Sequence, residues 1–140
     1  MTMSDFAARE PELTEAALRA RERAYAPYSR YAVGAALLSS DGAIHVGVNV
    51  ENASLGLTQC AERNAVARAV AEGSRRFLGI VIATGDAMPA APCGACRQVL
   101  AEFADELPVV LVNAEGARRA LQLELLLPER FDGFRPGIEP

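Results

Sequence analysis

A three-layer α/β/α sandwich around a five-stranded mixed sheet is the fold this sequence predicts, on three observations. Helical and strand patterns alternate in the order α-β-β-α-β-α-β-β, and a strand, helix, strand unit needs a crossover that covers a sheet face. Two runs, Leu78 to Thr84 and Val109 to Val112, are apolar almost throughout, as in strands covered on both faces. At 140 residues and 51% hydrophobic, residues 1–140 suit one domain with a sizeable core, too short for a catalytic domain plus a separate binding domain.

The elements follow in order. From about Pro11 to Tyr25, Leu13, Ala16, Ala17, Ala20 and Ala24 fall at helical spacing while Glu15, Arg19, Glu22 and Arg23 take the other face. Pro27 disfavours helix in the residue before it and closes this segment. Ala32 to Leu38 and Ile44 to Asn49 flank Asp41-Gly42, a strong hairpin signal. Gly34 and Gly47 suggest close packing or a twist within those strands. Val50 to Gln59 reads as a loop, and Cys60 to Glu72 as a helix closed by Gly73. Leu78 to Thr84 is expected at the centre of the sheet. After a loop, Gly85 to Ala91, Pro92 suits a first helical turn and Cys93 to Ala104 forms the next helix. Val109 to Val112 is a buried strand, Asn113 to Gly116 a turn, and Ala117 to Leu121 a last strand. Leu123 to Leu127 reads as a short helix stopped by Pro128.

Composition narrows the function. Lys+Arg 14 against Asp+Glu 18 gives a net charge of −4. With no basic run interleaved with aromatics, a nucleic-acid partner is not expected, and a small molecule is. The N-terminus lacks a basic stretch ahead of an apolar one, and the longest apolar runs, Ala32 to Leu38 and Leu78 to Ala83, are too short to span a bilayer. No membrane partner is expected, and the location expected is cytoplasmic. Three cysteines cannot all pair within one chain, and as thiols in a reducing compartment they are free to bind metal.

All three lie in two short motifs, Cys60-Ala61-Glu62-Arg63 and Pro92-Cys93-Gly94-Ala95-Cys96-Arg97. Cys93 and Cys96 share a helix face in a first turn, where the helix dipole favours thiolates. With Cys60 they supply three ligands for Zn²⁺, leaving the fourth tetrahedral position for water, as a catalytic site requires. Three thiolates overcompensate the metal charge, so Arg63 and Arg97, each beside a ligand, are expected to donate to thiolate sulfur. Glu62, in the same turn as Cys60, is the candidate general acid/base.

Other readings exist for the same residues. Cys-x-x-Cys at a helix start also describes a redox site, and His45 would close a structural Cys₃His zinc site. Glu62 alone would complement a helix dipole, and Arg97 alone would be a solvated charge.

The signature of a cysteine two residues before a glutamate, then Pro-Cys-x-x-Cys, is that of zinc nucleoside and base deaminases. From about Ala17 to Phe131 the chain resembles the small, homotetrameric cytidine deaminase family. The segments that carry the likeness are Tyr25-Ala26-Pro27-Tyr28-Ser29-Arg30-Tyr31, Val33-Gly34-Ala35-Ala36-Leu37-Leu38, Asn49-Val50-Glu51-Asn52-Ala53, both cysteine motifs, the latter through Val99, and Leu125-Leu126-Leu127-Pro128.

This resemblance implies a cytidine deaminase-like fold and hydrolytic deamination of cytidine and deoxycytidine to uridine and deoxyuridine, a pyrimidine salvage reaction. It implies that water activated on zinc attacks C4, that Glu62 also holds ring N3, that Asn49 and Glu51 bind the ribose, and that the Ala61 backbone contacts the base. Tyr31 would line the pocket, and Phe131 would reach a neighbouring subunit's site in a homotetramer. Departures from the family pattern are Leu55 for an aromatic, Tyr31 for phenylalanine, Asn64 for threonine, and a tail without Gly-Pro-x-Asp-Leu. Two competing functions are a blasticidin S-type deaminase, against which Glu51 argues, and a zinc-stabilised binding module without catalysis, against which Glu62 argues.

Overall fold

Side chains alternate along a strand, so a sheet buried on both faces makes two cores. The computed structural model describes residues 2–136. Strands β1 (Gly34–Ser39), β2 (Ile44–Val48), β3 (Phe77–Ala83), β4 (Pro108–Val112) and β5 (Arg118–Gln122) form one sheet in the order β2-β1-β3-β4-β5. Strands β3 and β4 run parallel, and every other neighbouring pair is antiparallel. The helices are α1 (Met3–Arg21), α2 (Ala61–Ala71), α3 (Gly94–Ala101) and the single turn α4 (Leu123–Leu126).

One core sets Ala36, Leu38, Val81, Ala83, Val110 and Val112 against Phe6, Leu13 and Ala17 of α1. The other sets Ala35, Leu37, Ile80, Ile82, Val109 and Leu111 against Ala61, Ala65 and Ala69 of α2 and Leu100 of α3. The result is the expected three layers, with β3 in the middle of the sheet.

Two glycines set how closely the helices lie on the sheet. A Cβ on Gly34 would stand 2.2 Å from the Ala17 carbonyl oxygen of α1, and one on Gly47 would stand 2.3 Å from that of Ala61 and 2.4 Å from the Ala65 nitrogen of α2. Close packing is therefore their role, and Gly47 ties the start of α2 to β2. At the β1-β2 hairpin, Gly42 takes φ 90° and donates to the Ser39 carbonyl at 2.9 Å, as the Asp41-Gly42 signal requires.

Helix α1 begins eight residues before Pro11, which lies inside it. An interior proline costs ~3 kcal/mol, but burying a phenylalanine contributes ~1.5–3 kcal/mol. Phe6 is 3% exposed, its ring filling the space over Gly79. The Asp5 carboxylate also caps the start by accepting from the Thr2 backbone N–H and hydroxyl. The other end stops at Arg21, short of Tyr25. Tyr25 instead donates to the Asn49 carbonyl at 3.0 Å and accepts from the Glu51 nitrogen at 2.9 Å.

Helix α3 ends at Ala101, three residues before the expected Ala104. Carbonyls left free there accept from the following tail, Ala101 from Arg135 and Ala104 from Arg130, each at 2.9 Å. Phe103 still reaches the core, its ring 5.5 Å from that of Phe77. No helix among the described residues is long and apolar enough to cross a membrane.

Candidate active site

Two helix starts meet at one point. Cys60 is the N-cap of α2 and Cys93 the N-cap of α3, with Cys96 in the first turn of α3. The Sγ atoms of Cys60 and Cys93 stand 4.0 Å apart, those of Cys93 and Cys96 3.5 Å, and all three lie within 4.8 Å of one another. Sulfurs on a tetrahedral zinc with ~2.3 Å bonds are about 3.8 Å apart, so the donor set fits zinc in both chemistry and spacing. Among the described residues it is the one cluster of His, Cys, Asp and Glu donors so arranged. Cys96 is buried, Cys60 half-buried and Cys93 exposed, which opens the site on the Cys93 side.

His45 is not part of it. Its ring, 1% exposed, sits 3.1 Å from the Ser39 hydroxyl and 3.2 Å from the Glu72 carboxylate. That removes the closed Cys₃His alternative. The third sulfur beside Cys93 and Cys96 likewise removes a simple two-cysteine redox site.

Charge around the sulfurs is arranged as a thiolate site requires. Arg63 donates to Cys60 Sγ at 3.3 Å. Proton sharing with Cys96 and this guanidinium pull the Cys60 thiol down to about 5, while the same sharing, burial and Glu62 push Cys96 up. Arg97 corrects the expectation of a second sulfur donor. Its Nε donates to the Pro92 carbonyl at 2.8 Å and its Nη1 to that of Leu126 at 3.0 Å. It fixes the backbone leading into Cys93 and ties it to α4, because carbonyls left free by the loop and the short helix lie within its reach.

Glu62, the second residue of α2, is 5% exposed. Burial raises its carboxyl above the usual range, opposed by hydrogen bonding with Cys96 and reinforced by the Cys60 charge. A buried carboxyl beside the metal ligands is the arrangement a proton carrier needs.

A cleft of about 200 Å³ opens here, lined by Cys60, Ala61, Glu62 and Cys93 on the metal side, and by the apolar Val33, Ile82, Ala91 and Pro92. Tyr31 and Asn49 also line it. The Asn49 side chain accepts from the Val33 nitrogen at 2.9 Å and donates to the Tyr31 carbonyl at 2.7 Å, so it also shapes the wall.

Two expected site residues do not line this cleft. Glu51 is outside the cleft lining, its carboxylate accepting from the Tyr28 nitrogen at 2.9 Å, the Ser29 nitrogen at 3.1 Å and the Ser29 hydroxyl. Those bonds, the hydroxyl first, hold its pKa below the usual range. Phe131 is 66% exposed and packs edge-on against Phe134 at 5.7 Å, away from this chain's own cleft.

Two residues near the site were not singled out from sequence. Thr84 lines the cleft, and Asp86 accepts from the Tyr31 hydroxyl. Both follow β3, at the carboxyl end of a parallel strand pair, where ligands bind in open α/β sheets. That rule was the available signal.

Residues 8–112 match the family model of the cytidine and deoxycytidylate deaminase zinc-binding region. A cytidine deaminase of Halalkalibacterium halodurans is 48% identical over 85% of this chain and 91% of its own length. One of Sporosarcina psychrophila is 46% identical over 81% of this chain and 84% of its own. The crystal structure of a cytidine deaminase from Burkholderia pseudomallei superposes with a TM-score of 0.83 at 50% identity, covering 86% of this chain and 98% of that one.

Proposed function

The chain belongs to the cytidine and deoxycytidylate deaminase family, and on that premise we propose that it hydrolyses cytidine and deoxycytidine to uridine and deoxyuridine, releasing ammonia. The observation that carries this reading is the meeting of three cysteine sulfurs from two helix starts beside the buried Glu62. Zinc is the cofactor the site is built for, and when bound it supplies the Lewis acidity that makes water a nucleophile at neutral pH. Cys60, Cys93 and Cys96 hold it.

The remaining steps fall to the chain's own side chains. Val33, Ile82 and Pro92 clamp a flat pyrimidine and exclude water, which strengthens every polar contact inside. Glu62 takes one proton from water and delivers it to ring N3, where it stays in the product, and then carries water's second proton to the leaving amine, a role its buried position suits. Arg63 draws charge from the Cys60 sulfur, so the thiolates do not suppress the metal's acidity. The Ala61 backbone, at the start of α2 where N–H groups lack helical partners, is assigned to the base.

Asn49 and Glu51 are assigned to the ribose end. Glu51 already accepts three hydrogen bonds, and a carboxylate has about four lone-pair sites, so one remains for a sugar hydroxyl. Phe131 is assigned to a neighbour's site in a homotetramer, supported by its exposed ring. We further propose a cytoplasmic location and a role in pyrimidine salvage.

Incubating the protein with cytidine should give uridine and ammonia in equal amounts, and a zinc chelator should abolish both. No uridine from the zinc-loaded protein would overturn the assignment. Free cytosine should be a poor substrate, and similar kcat/KM for cytidine and cytosine would remove the ribose role of Glu51. An active monomer in solution would remove that of Phe131.

A further inference from the structure

The Tyr31 hydroxyl donates its one proton to the Asp86 carboxylate. An ionised carboxylate only accepts, so the direction of this bond is fixed, and the Tyr31 oxygen is left with lone pairs alone to offer the cleft. The pair is held on both sides. Tyr31 accepts from Asn49 Nδ2 at 2.7 Å through its carbonyl and donates to the Ser29 hydroxyl at 3.0 Å through its nitrogen. The Asp86 carbonyl accepts from Nδ2 of the buried Asn113 at 2.9 Å.

Thr84 lies on the same wall. It is 2% exposed, yet its hydroxyl, close to that of Tyr31, makes no well-formed hydrogen bond among the described residues. A buried hydroxyl without a partner is costly, and the Tyr31 oxygen, whose own proton goes to Asp86, is an acceptor beside it. With its proton turned toward the Tyr31 oxygen, Thr84 keeps only lone pairs for the cleft. Burial first, and then Asp86, hold the Tyr31 pKa up at about 12, with Glu62 near enough to add to the effect. Tyr31 therefore stays neutral at ordinary pH and faces the same space as Glu62.

We infer that Tyr31, oriented by Asp86, and Thr84 form an acceptor wall that selects the amino group of an aminopyrimidine substrate over the carbonyl that replaces it in the product. The inference rests on the deaminase reading and adds to it which side chains separate substrate from product. The amino group carries two N–H donors and satisfies the wall. The product carbonyl carries only lone pairs, meets lone pairs, and is repelled, which favours release. Asp86 is a positioning residue here, and Tyr31 and Thr84 are specificity-determining.

The test compares the competitive Ki of uridine with the KM of cytidine in the zinc-loaded enzyme. Tyr31→Phe should lower the ratio Ki(uridine)/KM(cytidine) about three- to tenfold, the size of one hydrogen bond. Asp86→Ala should also lower it, because the freed Tyr31 proton then turns to the product carbonyl. Thr84→Val should lower it and Thr84→Ser restore it. A merely structural role would raise KM and Ki together, so an unchanged ratio in Tyr31→Phe and Asp86→Ala overturns the inference. A wild type that makes no uridine overturns the deaminase reading itself, and the inference with it.

Discussion

The two ends of α3 are both attachment points, and they are built from different forces. At its start, Cys93 and Cys96 meet Cys60 through backbone placed by a buried sheet, with Gly47 letting α2 touch β2. At its end, the tail through Phe131 and Phe134 is strapped down by charged side chains. Arg130 and Arg135 both pair with Asp105, which is 73% exposed, and Gln98 donates to the Phe131 carbonyl at 2.7 Å. A site that must hold a metal takes its geometry from packing, whereas a segment that presents aromatic rings outward is held by contacts that water and salt weaken.

The comparison breaks most severely at the first end. Cys60→Ala and Cys96→Ala should each lose the zinc, read by metal analysis of the purified protein, and with it essentially all turnover. A fully loaded Cys60→Ala protein would mean that packing does not set the ligand set. Glu62→Gln separates geometry from chemistry at the same place. It should keep its zinc while kcat falls at least about 10²–10⁴-fold, the worth of one positioned proton carrier. Activity within about tenfold of wild type would leave Glu62 as a dipole residue.

Gly47→Ala probes the packing itself. The added Cβ would meet backbone atoms of Ala61 and Ala65 below 2.5 Å, and backbone cannot swing aside as a side chain does. Overpacking costs about 1–3 kcal/mol, measurable as a lower urea midpoint. Because the clash falls beside Cys60, zinc affinity should fall too. A variant as stable as wild type with unchanged affinity would show that α2 is free to move off β2.

The same contrast explains what could be read from sequence. The motif cysteines, Glu62, the Asp41-Gly42 turn and the central β3 were legible because each rests on local spacing or on apolar content. The start of α1 escapes the local pattern because Phe6 holds its helical turn only by packing on Gly79, far away in sequence. Adjacency alone points Arg97 at sulfur, but its partners, Pro92 and Leu126, are set by where α4 comes to rest. Thr84 and Asp86 escape the motifs because a polar pair after a strand acquires meaning only once Tyr31, some fifty residues earlier, lies across from it.

The smallest effect belongs to the tail. Asp105 is held below its usual pKa by Arg135 first and then Arg130. A depressed carboxylate contributes stability that is present above its unfolded pKa, 3.8, and is lost as pH falls through the still lower folded value. The strap should therefore be intact at neutral pH and released only in strong acid. Since Asp105 is largely exposed, solvent screening limits the contribution to at most about 1 kcal/mol. Asp105→Asn should thus leave the melting temperature nearly unchanged while amide exchange in residues 130–136 accelerates. In wild type that exchange should quicken with added salt, whereas in the variant, with its ion pairs gone, it should respond little. Slow exchange in the variant, or none of this salt dependence in wild type, would mean that the carbonyl bonds from Arg130 and Arg135 hold the tail without the carboxylate, and that both ends of α3 are built alike.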